Sequence, residues 1–158
     1  MLNFISLVLQ LNYDITLVAN YRLAPDVRRS SVLRPDMLPF ASQIRIACDA
    51  AKNGTARVSG LEAPRFADDE TTFGQLQARI QDTLAWLETL PGDAFDGREA
   101  ANITFPVGRE KTRTMSGEAY LKHHALPNFF FHVVTAYNLL RHGGVDLGKM
   151  DYLLGSRK

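Results

Sequence analysis

The segment from Leu126 to Leu147 constrains the fold of this chain more than any other. Pro127 suits the first turn of a helix, where the missing amide hydrogen would have no intrahelical partner. At the other end, Gly143 and Gly144 can adopt the left-handed conformation that ends many helices. Between these ends the apolar residues and one histidine recur at spacings of three and four, at Phe129, His132, Val133, Ala136, Leu139 and Leu140. The pattern predicts an amphipathic helix with His132 in the middle of its buried face.

Three further helices are predicted before this one. The first covers residues 2–23, where apolar residues follow helical spacing until Pro25. The second begins around Pro35 and ends at Asn53-Gly54, and an apolar stripe of Leu38, Ala41, Ile44, Cys48 and Ala51 gives it one buried face. Residues 55–70 then form a mainly irregular link.

The third helix is predicted to begin with a cap at Thr71 or Thr72 and to stop before Pro91. Its buried stripe comprises Phe73, Leu76, Ile80, Leu84 and Leu87. Its solvent-facing side comprises Gln75, Gln77, Arg79, Gln81, Asp82 and Glu88. Trp86 lies off the stripe, and we expect it to cover an edge of the helix.

The amino-acid composition between residues 93 and 115 shifts toward β-forming residues, which predicts a small β-hairpin. Residues 102–107 and 112–115 carry β-forming side chains around a polar turn at residues 108–111. A two-stranded hairpin is marginal alone, so it must pack on the helices. Ser116 then caps a short helix over residues 117–125, and the tail from Lys149 to Lys158 packs back. The predicted fold is therefore an all-α antiparallel four-helix bundle with a small β-hairpin before the last helix, formed by residues 1–158 as one domain.

Composition narrows the functional classes. Of 158 residues, 46% are hydrophobic and 22% are charged, a balance typical of a soluble globular protein. The net charge of +1 does not support binding to nucleic acid. A single cysteine, Cys48, excludes an internal disulfide and suits the cytoplasm. The apolar N-terminal stretch has no basic residue before Arg22 and is interrupted by polar residues, so it predicts neither a signal peptide nor a membrane span.

The chain resembles a known group of proteins in three places. The first is residues 127–145 (PNFFFHVVTAYNLLRHGGV), followed by LGK at 147–149 and DYL at 151–153. The others are residues 34–40 (RPDMLPF) and residues 46–52 (IACDAAK). Together they resemble an uncharacterised bacterial family of unknown function within the DinB/YfiT-like superfamily of four-helix bundles. The resemblance covers about residues 33–153, whereas residues 1–32 form an atypical first helix and linker.

Resemblance to this superfamily implies a specific site to look for. Its members of known activity place three ligands, usually histidines, around a divalent metal at the bundle axis. Two come from a His-x-x-x-His pattern on the last helix and one from the second helix. Here the last-helix pattern is Asn128-x-x-x-His132, and no histidine occurs near Gln43 to Arg45. The resemblance therefore supports the bundle and argues against an intact tri-histidine site.

The candidate pocket residues are Asn128, His132, Tyr137, Asp49 and Cys48. Asn128 and His132 are four residues apart and share a helix face, and they are the only weak candidates for metal ligands. Because a neutral amide is a poor ligand, no cofactor is predicted, although zinc or nickel completed by Asp49 and Cys48 is an alternative. The simpler interpretation makes His132 a hydrogen-bonded core histidine, Cys48 an inert core thiol and Tyr137 a core aromatic residue.

Two hypotheses of function follow. The first is a bundle with little or no catalytic activity that acts by binding or self-association. The second is a small-molecule enzyme, such as a metal-dependent thiol transferase, isomerase or hydrolase, with an altered site around His132. The first helix is apolar on more than one side, which predicts a homodimer. A small-molecule ligand is compatible with either hypothesis.

Overall fold

Three long helices form the main frame of the part of the chain that the computed structural model describes, residues 30–154. The elements in chain order are α1 (Phe40–Ser59), α2 (Phe73–Glu88), a 3₁₀ helix (Gly92–Phe95), β1 (Asn102–Val107), β2 (Lys111–Ser116), α3 (Gly117–Tyr120), a π-helix (Leu121–Ala125), α4 (Leu126–His142) and α5 (Lys149–Leu154). The predicted class, a helical bundle with a small hairpin before the last long helix, is confirmed. The predicted first helix, residues 2–23, lies outside the described residues.

Helix α1 is displaced toward the C-terminus relative to the prediction. It begins at Phe40, after Pro39, and runs to Ser59, where Gly60 adopts the left-handed conformation with φ of 80°. The predicted end at Asn53-Gly54 is therefore wrong. Gly54 is a site of close packing: a Cβ there would lie 3.2 Å from the Cβ of Ala125. Leu38, predicted to be buried, precedes the helix and is 51% exposed.

Helix α2 begins as predicted. The Thr72 side chain accepts a hydrogen bond from the backbone of Gln75, and the Gln75 side chain accepts one from the backbone of Thr72. This reciprocal arrangement satisfies amide groups that the first turn leaves unpaired. The predicted solvent-facing side is wrong at Arg79, which is only 3% exposed because three acidic side chains surround it.

The core lies between α1, α2 and α4. Its fully buried members are mainly aliphatic and aromatic side chains, with Phe40, Ile44, Leu76, Ile80, Phe129 and Val133 at its centre. Burying each large side chain contributes about 1.5–3 kcal/mol of transfer free energy. Trp86 is partly buried against this core, as expected for the edge of α2.

The predicted hairpin is confirmed in position and strand direction. β1 and β2 pair antiparallel, with Asn102 opposite Ser116 and Val107 opposite Lys111. Alternate β1 side chains point inward, so that Ile103 and Phe105 are buried in a second, smaller apolar cluster. This packing stabilises a hairpin that could not persist alone.

The helix predicted over residues 117–125 is two elements. Only Gly117–Tyr120 is α-helical; Leu121–Ala125 is a π-helix that leads directly into α4. Pro127 does not interrupt this run and is among the first residues of α4. No helix within residues 30–154 combines the length and the apolar character that crossing a membrane requires.

Candidate functional site

The bundle interior contains one histidine–glutamine pair, contributed by two facing helices. His132 on α4 is 8% exposed and Gln43 on α1 is 1% exposed. Their side chains meet at 2.7 Å between His132 Nδ1 and Gln43 Oε1. The amide nitrogen of Gln43 donates to the carbonyl of Leu38 at 2.8 Å. The amide oxygen therefore faces the ring, and His132 Nδ1 is the donor.

Burial lowers the pKa of His132 below its ordinary value of 6.5. The imidazole is therefore neutral at physiological pH, as its hydrogen bond to a neutral amide also requires. The surrounding stripe of α4 explains its burial, since Phe129, Val133 and Ala136 on the same face are in the core. This Gln43–His132 pair is a satisfied polar contact in an apolar interior.

The residues at this position do not fit the metal that the superfamily implies. Gln43 stands in the second-helix region where a ligand is expected, and its amide contacts His132. Asn128, one turn before His132, is partly exposed and offers a second neutral amide. One imidazole and two amides are a poor donor set for zinc or nickel. Within residues 30–154, no three His, Cys, Asp or Glu side chains are grouped so that they could hold a metal ion.

Cys48 and Asp49 are adjacent in sequence but have different environments. Cys48 is fully buried in the core, and burial raises the pKa of its thiol to about 12, although a hydrogen bond with Thr83 opposes this rise. A thiol with this pKa stays protonated and is a poor nucleophile. Asp49 lies six positions after Gln43, about 120° around the helix. Its carboxylate binds the side chains of Lys52 and Arg79 at 2.9 Å each.

Tyr137 lies away from His132, because five positions on a helix correspond to a rotation of about 140°. It packs partly buried against the main core and meets Tyr152 edge-on, with ring centroids 5.7 Å apart. Its hydroxyl is 3.5 Å from Arg141 Nη1, at the limit of a hydrogen bond. Of the five candidate residues, the structure places only Asn128 and His132 on one face of one helix.

Arg79, which the sequence analysis assigned to the solvent-facing side of its helix, pairs with three carboxylates. Its Nη1 donates to Asp68 at 2.6 Å and to Glu70 at 2.8 Å, and its Nη2 donates to Asp49 at 2.9 Å. Its guanidinium carbon lies 4.6 Å from the centre of the Phe66 ring. Its Nε has no partner among the described residues. These contacts attach the irregular residues 61–70 to α1 and α2.

A second arginine completes this group, the Arg79 cluster, which comprises Arg45, Asp49, Asp68, Glu70 and Arg79. Arg45 Nε donates to the Glu70 carboxylate at 2.7 Å, and its Nη2 donates to the Glu70 carbonyl at 2.6 Å. Burial alone would raise the pKa of Glu70, but the hydrogen bonds from Arg79, its own backbone and Arg45 outweigh burial and lower that pKa. The carboxylate is therefore ionised and paired.

The sequence did contain a signal for this cluster. Arg79 lies between the buried residues Leu76 and Ile80 and four positions before Thr83, which is fully buried. The acidic residues Asp68 and Glu70 precede the helix closely enough to fold back onto it. Periodicity alone could not separate a buried, paired arginine from an exposed one, because the partners come from a segment without regular structure.

A surface cleft of about 420 Å³ lies beside the Arg79 cluster, between α1 and residues 62–66. We refer to it as the α1 cleft. It is lined by Asp49, Lys52, Asn53, Ala56, Arg57, Glu62, Ala63, Pro64, Arg65 and Phe66. Its volume is within the range of small-molecule sites. Neither Gln43 nor His132 lines it.

An aromatic group is linked to this cleft through the lining residue Arg57. The His124 ring is 4.3 Å from that of Phe105 and 5.5 Å from that of Tyr120. The Tyr120 hydroxyl accepts a hydrogen bond from Arg57 Nη1 at 3.0 Å. Burial, with Arg57 and Arg113 contributing positive charge, lowers the pKa of His124.

Comparison with known proteins agrees with the fold and the resemblance. The crystal structure of a DinB family member protein from Shewanella denitrificans is similar to this chain, with 35% sequence identity and a TM-score of 0.86. The similarity covers 98% of this chain and 89% of that one. Comparison with curated proteins gave no match. A family model described as a domain of unknown function, DUF1993, matches residues 12–153. The chain therefore belongs to the DUF1993 family of DinB-like proteins.

Proposed function

We propose that this chain is a binding protein rather than a metal-dependent enzyme. The observation that carries the proposal is the contact between His132 and Gln43. The imidazole that would be the remaining metal ligand is hydrogen-bonded to a neutral amide and is 8% exposed. Metal catalysis in related bundles depends on a Lewis acid, and a site with one imidazole supplies little of that chemistry.

Self-association as a homodimer is part of the same proposal. It rests on residues 2–18, where Leu2, Phe4, Ile5, Leu7, Val8, Leu9, Leu11, Ile15, Leu17 and Val18 are too numerous for a single buried stripe. The near-neutral charge and the single cysteine support a cytoplasmic protein that does not bind nucleic acid. Light scattering coupled to gel filtration tests the dimer, and a clean monomer at micromolar concentration would refute it.

Metal binding is the decisive test of the main proposal. The protein is purified without a metal-binding tag, and zinc and nickel are titrated by calorimetry into the original chain and into Gln43→His/Asn128→His. We expect the original chain to bind less than one equivalent and only weakly. The double variant restores three imidazoles and should bind at least about tenfold more tightly, which corresponds to 1.4 kcal/mol.

The control is His132→Gln in the double-variant background, which removes the third imidazole and should abolish the gain. Tight binding of one equivalent by the original chain, lost in His132→Gln, would refute the proposal. It would favour the alternative, an enzyme with an altered metal site.

A further inference from the structure

The α1 cleft has an excess of basic groups. Lys52, Arg57 and Arg65 line it, against the carboxylates of Asp49 and Glu62. Asp49 binds both Lys52 and Arg79, so the charges of Asp49 and Lys52 largely cancel each other. Glu62 and Arg65 are both exposed to solvent, so water and salt screen both of these charges. With Lys52 and Asp49 paired, Arg57 and Arg65 remain against Glu62, so the lining residues carry an excess of one positive charge.

Arg57 is the best-placed group to bind an anion. Its only partner in residues 30–154 is the neutral hydroxyl of Tyr120, which accepts from Nη1. No carboxylate of the described residues lies within ion-pair distance of it, and the same holds for the exposed Arg65. The planar guanidinium of arginine donates two parallel hydrogen bonds to carboxylates and phosphates.

The cleft wall is partly apolar, and its Phe66 is held by contacts with two cations. The Lys52 side chain is 6% exposed, although it lines the cleft, and its ammonium lies 5.0 Å from the centre of the Phe66 ring. Arg79 contacts the same ring at 4.6 Å. Two buried cations thus fix Phe66, and the Arg79 cluster fixes the backbone that carries it. A preorganised wall reduces the entropy lost when a ligand binds.

We propose that the α1 cleft binds a small organic anion. Its carboxylate or phosphate group pairs with Arg57 and Arg65, and its apolar part packs on Phe66, Ala56 and Pro64. This assignment extends the proposed binding function by giving it a site and a ligand class. It does not depend on the Gln43–His132 pair, because none of the groups involved contacts that pair.

The test uses phenyl phosphate, phenylacetate and uncharged benzamide as probes, with inorganic phosphate as a fourth. Each is titrated into the full chain and followed by amide NMR shifts at Asn53 and Ala56 and by calorimetry. We expect saturable binding of at least one aromatic anion, weaker binding at higher ionic strength, and no binding of benzamide. The stronger of phenyl phosphate and phenylacetate identifies the preferred head group.

Arg57→Gln and Arg65→Gln should each weaken the binding of the preferred probe about tenfold or more. Arg109→Gln, an exposed arginine in the hairpin turn, is the matched control and should leave it unchanged. The Arg57→Gln variant loses the hydrogen bond to Tyr120. If that loss unfolds the protein, the Arg65→Gln variant still tests the proposal. Absence of saturable binding, equal binding of benzamide, or affinity unaffected by Arg65→Gln would overturn the proposal.

The two proposals fail separately. A chain that binds metal at His132 and phenyl phosphate at the α1 cleft refutes the proposed non-metal function and retains the cleft. A chain that binds neither metal nor any anion retains the first conclusion about the Gln43–His132 pair and refutes the ligand class assigned here.

Discussion

The Gln43–His132 pair and the Arg79 cluster are two ways of burying polar groups against the same helix, α1. The pair is neutral, with one contact of 2.7 Å between two uncharged side chains. The cluster is ionic, and its central arginine is 3% exposed and bound to three carboxylates. A buried charge is tolerable only when it is paired, whereas a neutral pair needs only its hydrogen bond.

This difference indicates which of the two buried polar groups tolerates substitution better. Losing one member of the pair leaves the buried polar group of the other without a partner, which is a smaller penalty than an unpaired buried charge. The cluster connects α1, α2 and residues 61–70. Losing its arginine leaves Asp68 without an ion pair among the described residues and leaves Asp49 and Glu70 with only Lys52 and Arg45. The region where a metal site would lie is therefore the less constrained of the two.

The largest effect is expected from Arg79→Met, which keeps most of the side-chain volume and removes the charge. The Glu70 side chain is only 10% exposed and loses one of its partners in this variant. We therefore expect the free energy of unfolding to fall by about 3–5 kcal/mol. The free energy of unfolding is measured by urea titration. The Asp68 side chain is 55% exposed, so water solvates its unpaired carboxylate and reduces the cost of losing the ion pair. We therefore expect a value near the lower end of this range.

Arg109→Met is the control for this measurement. Arg109 lies in the exposed hairpin turn, and its replacement should change the stability by less than about 0.5 kcal/mol. Equal effects of Arg79→Met and Arg109→Met would contradict the distinction drawn between the cluster and an ordinary surface arginine.

A smaller effect is expected at the Gln43–His132 pair. Gln43→Leu leaves the His132 Nδ1 hydrogen without an acceptor, which costs about 1–3 kcal/mol. His132→Leu similarly leaves the Gln43 amide oxygen unpaired. The double variant Gln43→Leu/His132→Leu removes both polar groups and should be more stable than the sum of the single losses predicts. Strict additivity in this cycle would show that the contact contributes nothing.

The sequence predicted the elements whose signals are local. Helix α4 and the hairpin followed from periodicity and turn residues, and the start of α2 followed from the candidate caps Thr71 and Thr72. The end of α1 did not, because Gly54 resembles a helix terminus in sequence. Its role depends on Ala125, seventy-one positions later, and only the packed structure reveals that contact.

The residues of the candidate site also divide into those that a local sequence pattern predicts and those that it does not. The burial of His132 could be predicted from the apolar stripe on α4. Its partner Gln43 could not, because a glutamine on another helix carries no pattern of its own. Arg79 was assigned to solvent for a related reason: its acidic partners lie in a segment that periodicity does not describe.

The dependence of stability on pH distinguishes the Gln43–His132 pair from the Arg79 cluster, because each contains a group that titrates in a different pH range. Burial holds the pKa of His132 below 6.5, so the folded chain binds this proton less readily than the unfolded chain does. Stability should therefore fall as the pH decreases below about 6.5, by at most about 1.4 kcal/mol per pH unit for one group. Glu70 acts in a lower range, because its folded pKa is below 4.5 and its contribution is lost as the pH falls through that folded pKa.

Urea midpoints measured from pH 7 downward resolve these two ranges. His132→Leu should flatten the decline just below pH 6.5 and leave the acid limb below 4.5 unchanged, whereas Glu70→Gln should do the reverse. His124, whose pKa is also lowered by burial and by Arg57 and Arg113, leaves a residual slope in the His132 variant. A profile that His132→Leu leaves unchanged would mean that the histidine takes up its proton as readily in the folded chain as in the unfolded one, which its hydrogen bond to Gln43 in an apolar interior should prevent.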